Sequence, residues 1–169
     1  YEKKDIPVIG IEPALKPAVL AKEHSKVVVM ATPMTLSQTK FNSMLHVYED
    51  EANIIKMPCP GLVEYIEGGM LEGPVLDEYL EKQFEPYEKS EIDAVVLGCT
   101  HYPLVKDAIQ KHLPGVAIYD GGFGTAKQTR KRLTECGLLS GKESGGEVKI
   151  FNSKNTEDVL ELSRRLLNL

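Results

Sequence analysis

The stretch that decides the fold reads Ala94-Val95-Val96-Leu97 and then Gly98-Cys99-Thr100-His101-Tyr102-Pro103. Its four apolar residues predict a strand of a parallel sheet, because such strands are buried on both faces. Leu104 to Leu113 has the spacing of a helix, and Pro103 suits a first helical turn. The sequence therefore predicts a loop with a thiol and an imidazole, at the strand end where open α/β folds bind ligands.

Similar apolar runs predict further strands on both sides of this stretch, separated by segments with helical spacing. The strands are expected at Ile6 to Ile11, Val27 to Ala31, Asn53 to Met57, Asp93 to Leu97, Val116 to Tyr119 and Val148 to Phe151. The helices are expected before Ala21, around Phe41 to Tyr48, at Leu62 to Glu67, around Leu76 to Phe84, at Leu104 to Leu113, at Thr125 to Cys136 and after an Asn155 cap. This alternation predicts an α/β fold with a mainly parallel sheet and flanking helices.

Composition narrows the class of protein. The 169 residues include 25 acidic and 20 basic side chains, for a formal net charge of -5, and no run of basic residues is longer than three. This balance argues against a nucleic-acid partner. No apolar stretch approaches the roughly 18 residues of a membrane span, and no signal-peptide pattern is present. Three widely spaced cysteines fit a reducing, cytoplasmic setting better than a disulfide framework.

Cys99 is the strongest candidate for chemistry. A neighbouring imidazole and a helix N-terminus both favour the thiolate form of a cysteine, and Cys99 is expected to have both. Thr100 adds a hydroxyl, and the N–H groups at the helix opening suit a carboxylate. The alternative is that Cys99 is a small buried hydrophobe, which is the common fate of cysteine.

Other sites are less favoured by the sequence. Cys59 lies between two prolines and is interpreted as structural, with a position near a cleft as the alternative. A Cys99–His101 hydrolase pair lacks an evident third group to orient it, and a zinc site from Cys99, His101 and Cys59 lacks the usual ligand spacing. The glycines at 121–124 lack the pattern of a P-loop or a dinucleotide fingerprint.

The motif from Leu97 to Leu104 closely resembles a signature of the glutamate racemases, within the aspartate/glutamate racemase family. Three more stretches resemble this family in the same order along the chain. They are Gly10 to Ala18, Met30 to Thr35, and Cys59 to Glu67.

The resemblance implies a cofactor-independent racemase, with no metal, that makes D-glutamate for peptidoglycan and hence for the cell wall and cell shape. In that family two cysteines face opposite sides of the substrate Cα, and one removes the proton that the other replaces. The match assigns Cys99 as one of the two. It assigns Thr100 and His101 to the substrate carboxylate or to assisting the thiol, and Glu67 as the partner of His101.

The resemblance also implies a domain division and a gap. Residues 1–119 are expected to form one complete α/β domain with the Cys99 loop, and residues 120–169 part of a second, incomplete one. The family segment with the opposite cysteine has no counterpart here, because neither Cys59 nor Cys136 has its context. We expect glutamate as the substrate and a homodimer as the candidate oligomeric state. We expect no racemisation by this chain alone. The alternative is a non-catalytic module of the same fold that binds a dicarboxylate or a protein partner.

Overall fold

A four-stranded parallel sheet lies at the centre of the computed structural model, which describes residues 7–142 and 144–167. The strands are β1 (Lys26–Ala31), β2 (Asn53–Pro58), β3 (Ala94–Leu97) and β4 (Ala117–Asp120), in the spatial order β2-β1-β3-β4. All three neighbouring pairs run parallel. The predicted α/β class with a mainly parallel sheet is confirmed.

The strand order creates a crevice beside β3. The chain passes from β1 to β2 on one side, and then crosses β1 to reach β3 on the other side. The loops that follow β1 and β3 therefore leave the sheet in different directions. Such a switch point, at the carboxyl ends of the strands, is where open α/β sheets bind ligands.

Short helices connect the strands and cover both faces of the sheet. The α-helices are α1 (Leu15–Leu20), α2 (Pro33–Ser37), α3 (Thr39–His46), α4 (Leu62–Glu67), α5 (Pro74–Phe84), α6 (Lys106–His112), α7 (Gly122–Glu135) and α8 (Glu157–Leu166). Two 3-10 turns occupy Lys89–Glu91 and Tyr102–Val105. The bounds predicted for the helix at Leu62 to Glu67 are those observed.

Two hydrophobic clusters pack on opposite faces of the sheet. Val28, Met30, Val95 and Leu97 face one cluster, with side chains of α4, α5 and α6. Alternate residues of the same strands, such as Val29 and Val96, face the other cluster, with α1 and α3. Burial on both faces explains why these strands appear in the sequence as unbroken apolar runs. Within the described residues, the buried hydrophobic side chains all lie between Leu15 and Ile118.

Two predicted strands are wrong. Residues 7–11 and 148–151 form no strand, and Ile6 lies outside the described residues. A strand needs a partner for its backbone groups, and apolar composition alone does not supply one. Val148 and Phe151 are mostly exposed, at 64% and 87% of their surfaces. An apolar run can therefore belong to a surface that this part of the chain leaves uncovered.

Three helix starts also differ from expectation. Tyr102 and Pro103 open a 3-10 turn, and α6 itself begins at Lys106. Helix α7 begins at Gly122 rather than Thr125, because glycines are tolerated in a first turn whose backbone is anchored by Asp120 Oδ1 at Gly122 N, 2.9 Å away. Asn155 has a positive φ of 47° and precedes Thr156, the true cap position. No described helix has the length and apolar character needed to cross a membrane.

Candidate active site

The Cys99 loop begins at a glycine because the backbone there passes close to β1. Gly98 N donates to the carbonyl oxygen of Met30 over 2.8 Å. A Cβ on Gly98 would lie 3.0 Å from that oxygen and 3.2 Å from the Ala31 Cβ. A larger residue would push the loop away from β1, so Gly98 sets where the thiol stands relative to the sheet.

The structure brings together three of the predicted site residues. Cys99 Sγ lies 3.8 Å from Nδ1 of His101, because a tight turn links Cys99 O to Tyr102 N. On the other side of the ring, His101 Nε2 lies 3.4 Å from Oε1 of Glu67, the last residue of α4. A thiol, an imidazole and a carboxylate thus lie in a row.

Cys99 is accessible from two sides. Cys99 and Thr100 line a cavity of about 200 Å³ whose other walls include Glu12, Pro103 and Asp120. They also line a wider cleft of about 630 Å³, together with His101 and the loops that follow β1 and β2. Cys99 is half-buried rather than sealed in the core. The reading of this residue as a buried hydrophobe is therefore not supported.

Two hydroxyls on the loop after β1 face the wider cleft. Thr32 and Thr35 line it, and their Oγ1 atoms lie 2.9 Å apart in a hydrogen bond. The Thr32 hydroxyl also accepts from the Thr35 N–H at 3.2 Å, which caps α2. The sequence predicts a strand followed by a loop for this segment, and neither threonine is among the predicted site residues. The sequence feature that could have indicated a site role is the position of this segment directly after the apolar run of β1, the strand that pairs with β3.

The other two cysteines differ from Cys99 in their surroundings. Cys59 follows β2, is 1% exposed and donates its thiol to the Met57 carbonyl at 3.5 Å. Burial raises the pKa of the Cys59 thiol to about 12. Cys136 is exposed at the end of α7. Cys59 is buried as expected for a structural residue, and Cys99 is the half-exposed thiol with an imidazole beside it.

The arrangement has two chemical uses, proton transfer and nucleophilic attack by sulfur. Spacing along the sequence predicts no third group to orient a Cys99–His101 pair, but Glu67, which the resemblance gives as the partner of His101, does contact that imidazole. Glu67 is distant in sequence, and only the placement of α4 brings it near. Among the residues that the structure describes, no group of three or more His, Cys, Asp or Glu side chains could hold a metal ion.

Comparisons with known proteins agree on one family. The model of the Asp/Glu/Hydantoin racemase family matches residues 1–129. The chain is 51% identical over 166 residues to a glutamate racemase of Clostridium acetobutylicum, covering 98% of this chain and 65% of that protein. It is 48% identical to a glutamate racemase of Clostridium novyi, again over 98% of this chain and 65% of that protein.

A solved structure is similar along nearly the whole chain. It is the Escherichia coli glutamate racemase in complex with L-glutamate and an activator, with a TM-score of 0.78 and 26% identity. The similarity covers 98% of this chain and 64% of that one. The chain thus spans about 65% of the length of the curated relatives that it matches.

Proposed function

We propose, from the premise that this chain belongs to the Asp/Glu/Hydantoin racemase family, that it carries one half of the active site of a glutamate racemase. The activity is an isomerisation, the cofactor-independent interconversion of L- and D-glutamate. The observation that carries the proposal is the row of Cys99, His101 and Glu67, in which Cys99 and His101 line an open cleft. The relatives' names supply the substrate.

Cys99 is the base that faces one side of the substrate Cα. The thiolate takes the Cα proton, and the electron pair of the broken C–H bond moves into the adjacent carboxylate. A Cα–H is a poor acid, so this step needs donors already placed around the developing charge. Thr100 and the N–H groups at the opening of the following turn are suited to hold the carboxylate. Return of a proton to the opposite face completes the inversion.

His101 and Glu67 assist the thiol in this proposal. An imidazole beside a cysteine stabilises the thiolate. A carboxylate on the far ring nitrogen fixes the orientation and the tautomer of the imidazole. Glu67 is 64% exposed in this structure, which weakens its pull on the imidazole. Exclusion of water from the cleft would strengthen it.

The opposite thiol comes, in this proposal, from the third of the relatives' length that the chain does not span. Residues 1–119 would form one complete α/β domain and residues 120–169 part of the second. In support, α7 and α8 contribute no buried residue in this structure, while Phe123 and Phe151 are more than 80% exposed. The D-glutamate would serve peptidoglycan synthesis in the cytoplasm, and the assembled enzyme could be a homodimer.

The test follows hydrogen at the glutamate Cα in deuterated water. The 169-residue chain is expected to exchange the Cα proton slowly, without interconverting the enantiomers, since a single base serves one face. Fusion to the unaligned third of the Clostridium acetobutylicum relative should produce interconversion. NMR of the Cα signal reports exchange, and chiral chromatography reports inversion.

Three outcomes would overturn the proposal in different ways. Fast interconversion by the 169 residues alone would show that no second segment is needed. Glutamate binding in calorimetry without any Cα exchange, even in the fusion, would support the non-catalytic binding module. An acyl-enzyme trapped on Cys99 by a thiol-directed acyl probe would support a hydrolase instead.

A further inference from the structure

A buried hydrogen bond lies directly beneath the Cys99 loop. Tyr102 is 0% exposed, and its hydroxyl donates to the main-chain carbonyl of Cys59 over 3.3 Å. The two residues are 43 positions apart in sequence. Cys59 is anchored in turn, because its N–H donates to the Ala31 carbonyl over 3.0 Å and so extends the pairing of β2 with β1.

This bond connects the two segments that carry the row of site residues. Tyr102 directly follows His101 on the loop after β3. Cys59 opens the short loop into α4, and Glu67 ends that helix. The contacts of His101 with Cys99 and with Glu67 therefore depend on how the two loops are held together. Helix α4 and the turn at Tyr102 also pack against each other.

The phenol is suited to this role as a fixed donor. Burial raises the pKa of Tyr102, and the nearby thiols of Cys59 and Cys99 raise it further. The hydroxyl therefore stays protonated and takes no part in proton transfer. Without it the Cys59 carbonyl would be buried without this partner, and an unpaired buried acceptor is destabilising.

We propose that Tyr102 is a positioning residue, whose hydroxyl ties the Cys99 loop to the start of α4 and so keeps His101 between Cys99 and Glu67. The proposal rests on the proposed function for the role of Cys99 as a thiolate base. It goes beyond that function, because it assigns a task to a side chain that touches no substrate. Tyr102 acts on the thiol only through the imidazole.

The experiment measures alkylation of Cys99 by iodoacetamide as a function of pH, in a Cys136→Ser background. No substrate is involved, so a failure of the racemase proposal leaves this test intact. Tyr102→Phe keeps the ring and removes the hydroxyl. We expect the rate at about pH 7 to fall about threefold and its pH midpoint to rise, because the imidazole stabilises the thiolate less well. His101→Gln should produce a loss at least as large.

Two further variants separate positioning from general stability. Tyr87→Phe removes a half-buried hydroxyl elsewhere and should leave both rate and midpoint unchanged. The double variant Tyr102→Phe/His101→Gln should be no slower than His101→Gln, since residues that act through one another are not additive. A folded Tyr102→Phe with an unaltered midpoint, or fully additive losses in the double variant, would overturn the proposal.

A measurement on the unchanged chain covers the case in which Tyr102→Phe does not fold. A hydroxyl proton held in a buried bond exchanges slowly with water and is visible by NMR at low temperature. We expect such a signal for Tyr102, with a nuclear Overhauser contact to the loop at Cys59. Rapid exchange of this proton in the folded chain would contradict the bond and the proposal with it.

Discussion

Cys59 and Cys99 follow two strands of the sheet, β2 and β3, at the same carboxyl-terminal edge, yet they have opposite surroundings. Cys59 follows β2, is buried, and has a thiol pKa raised to about 12. Cys99 follows β3, lines two open clefts and lies 3.8 Å from an imidazole nitrogen. Both loops bond to the end of β1, through Cys59 N to Ala31 O and through Gly98 N to Met30 O, but only the first bond is made by the cysteine residue itself.

The comparison shows that position at a strand end is not sufficient for reactivity. Both thiols occupy the edge where α/β folds bind ligands, but the thiolate is the reactive form of a cysteine. Desolvation disfavours the charged form at Cys59, whereas Cys99 retains access to solvent and a potential cationic neighbour. The same residue type thus serves packing in one loop and is available for chemistry in the next.

Replacing the Cys99 thiol by alanine should have the largest effect on glutamate Cα exchange. Cys99→Ala is expected to lower glutamate Cα exchange by about a thousandfold, the scale of a lost general base. Cys136→Ala removes an exposed thiol that lines neither cleft, so it is the matched control and should keep the rate. Deuterium incorporation followed by NMR makes the measurement. Equal rates of Cα exchange in Cys99→Ala and the unchanged chain would contradict the role of the Cys99 thiol as the base.

Alkylation should separate the same two thiols without any substrate. At about pH 7.5, Cys99 should react with iodoacetamide at least about a hundredfold faster than Cys59, since burial limits both access and ionisation at Cys59. Peptide mass spectrometry quantifies each site. In concentrated urea the two rates should converge. Comparable labelling of both residues in the folded chain would contradict the burial of Cys59.

For stability, in contrast to reactivity, replacing Cys59 should have a larger effect than replacing Cys99. Cys59→Ala is expected to lower the free energy of unfolding by about 1 kcal/mol, as for other small deletions in a core, and Cys99→Ala by less. Urea titration measures both. In the unchanged chain, the folded pKa of Cys59 lies above its unfolded value, so stability should decline as pH rises from about 9 towards 12. Cys59→Ala should show a smaller decline, because the raised pKa of the buried Tyr102 phenol still lowers stability above about pH 10.

A change at the other end of the sheet should have the smallest effect and leave the thiols alone. Asp93 precedes β3 and accepts from Lys22 Nζ at 2.6 Å and Lys26 N at 2.9 Å, which lowers the pKa of its carboxyl. Asp93→Asn should cost about 0.5 kcal/mol at neutral pH, a value reduced by solvent exposure. Because the folded pKa is depressed, the difference should be full above about pH 4 and vanish as pH falls through it. An altered Cys99 alkylation rate would contradict the separation of the two ends.

The sequence predicted those parts of the structure that depend on neighbours along the chain. Unbroken apolar runs identified all four strands of the sheet, and the position of Cys99 after one of them predicted an accessible thiol. His101 is two residues away, so its contact with Cys99 follows from a turn. The pairing of Glu67 with His101 came from the family resemblance, and the spacing alone did not predict it.

Interactions between segments that are distant along the chain could not be predicted from the sequence. The hydroxyl of Tyr102 meets the carbonyl of Cys59 only because β1 separates β2 from β3, and strand order has no local signal. The run at 148–151 has the composition of a strand but pairs with no strand among the described residues. Strand propensity alone therefore gave a wrong prediction there. Thr32 and Thr35 line the same cleft as Cys99 because β1 pairs with β3, which the sequence alone does not predict.

A close crossing at the mouth of the smaller cavity has an architectural consequence. Gly121, just after β4, passes the carbonyl of Glu12 so closely that a Cβ would overlap with that oxygen. The segment that leads into the α/β unit and the one that leaves it therefore touch. A unit whose entry and exit are adjacent is the kind that tolerates insertion into another protein. Residues 12–121 could thus be transplanted as a cassette into a surface turn of an unrelated host, bringing Cys99 with them.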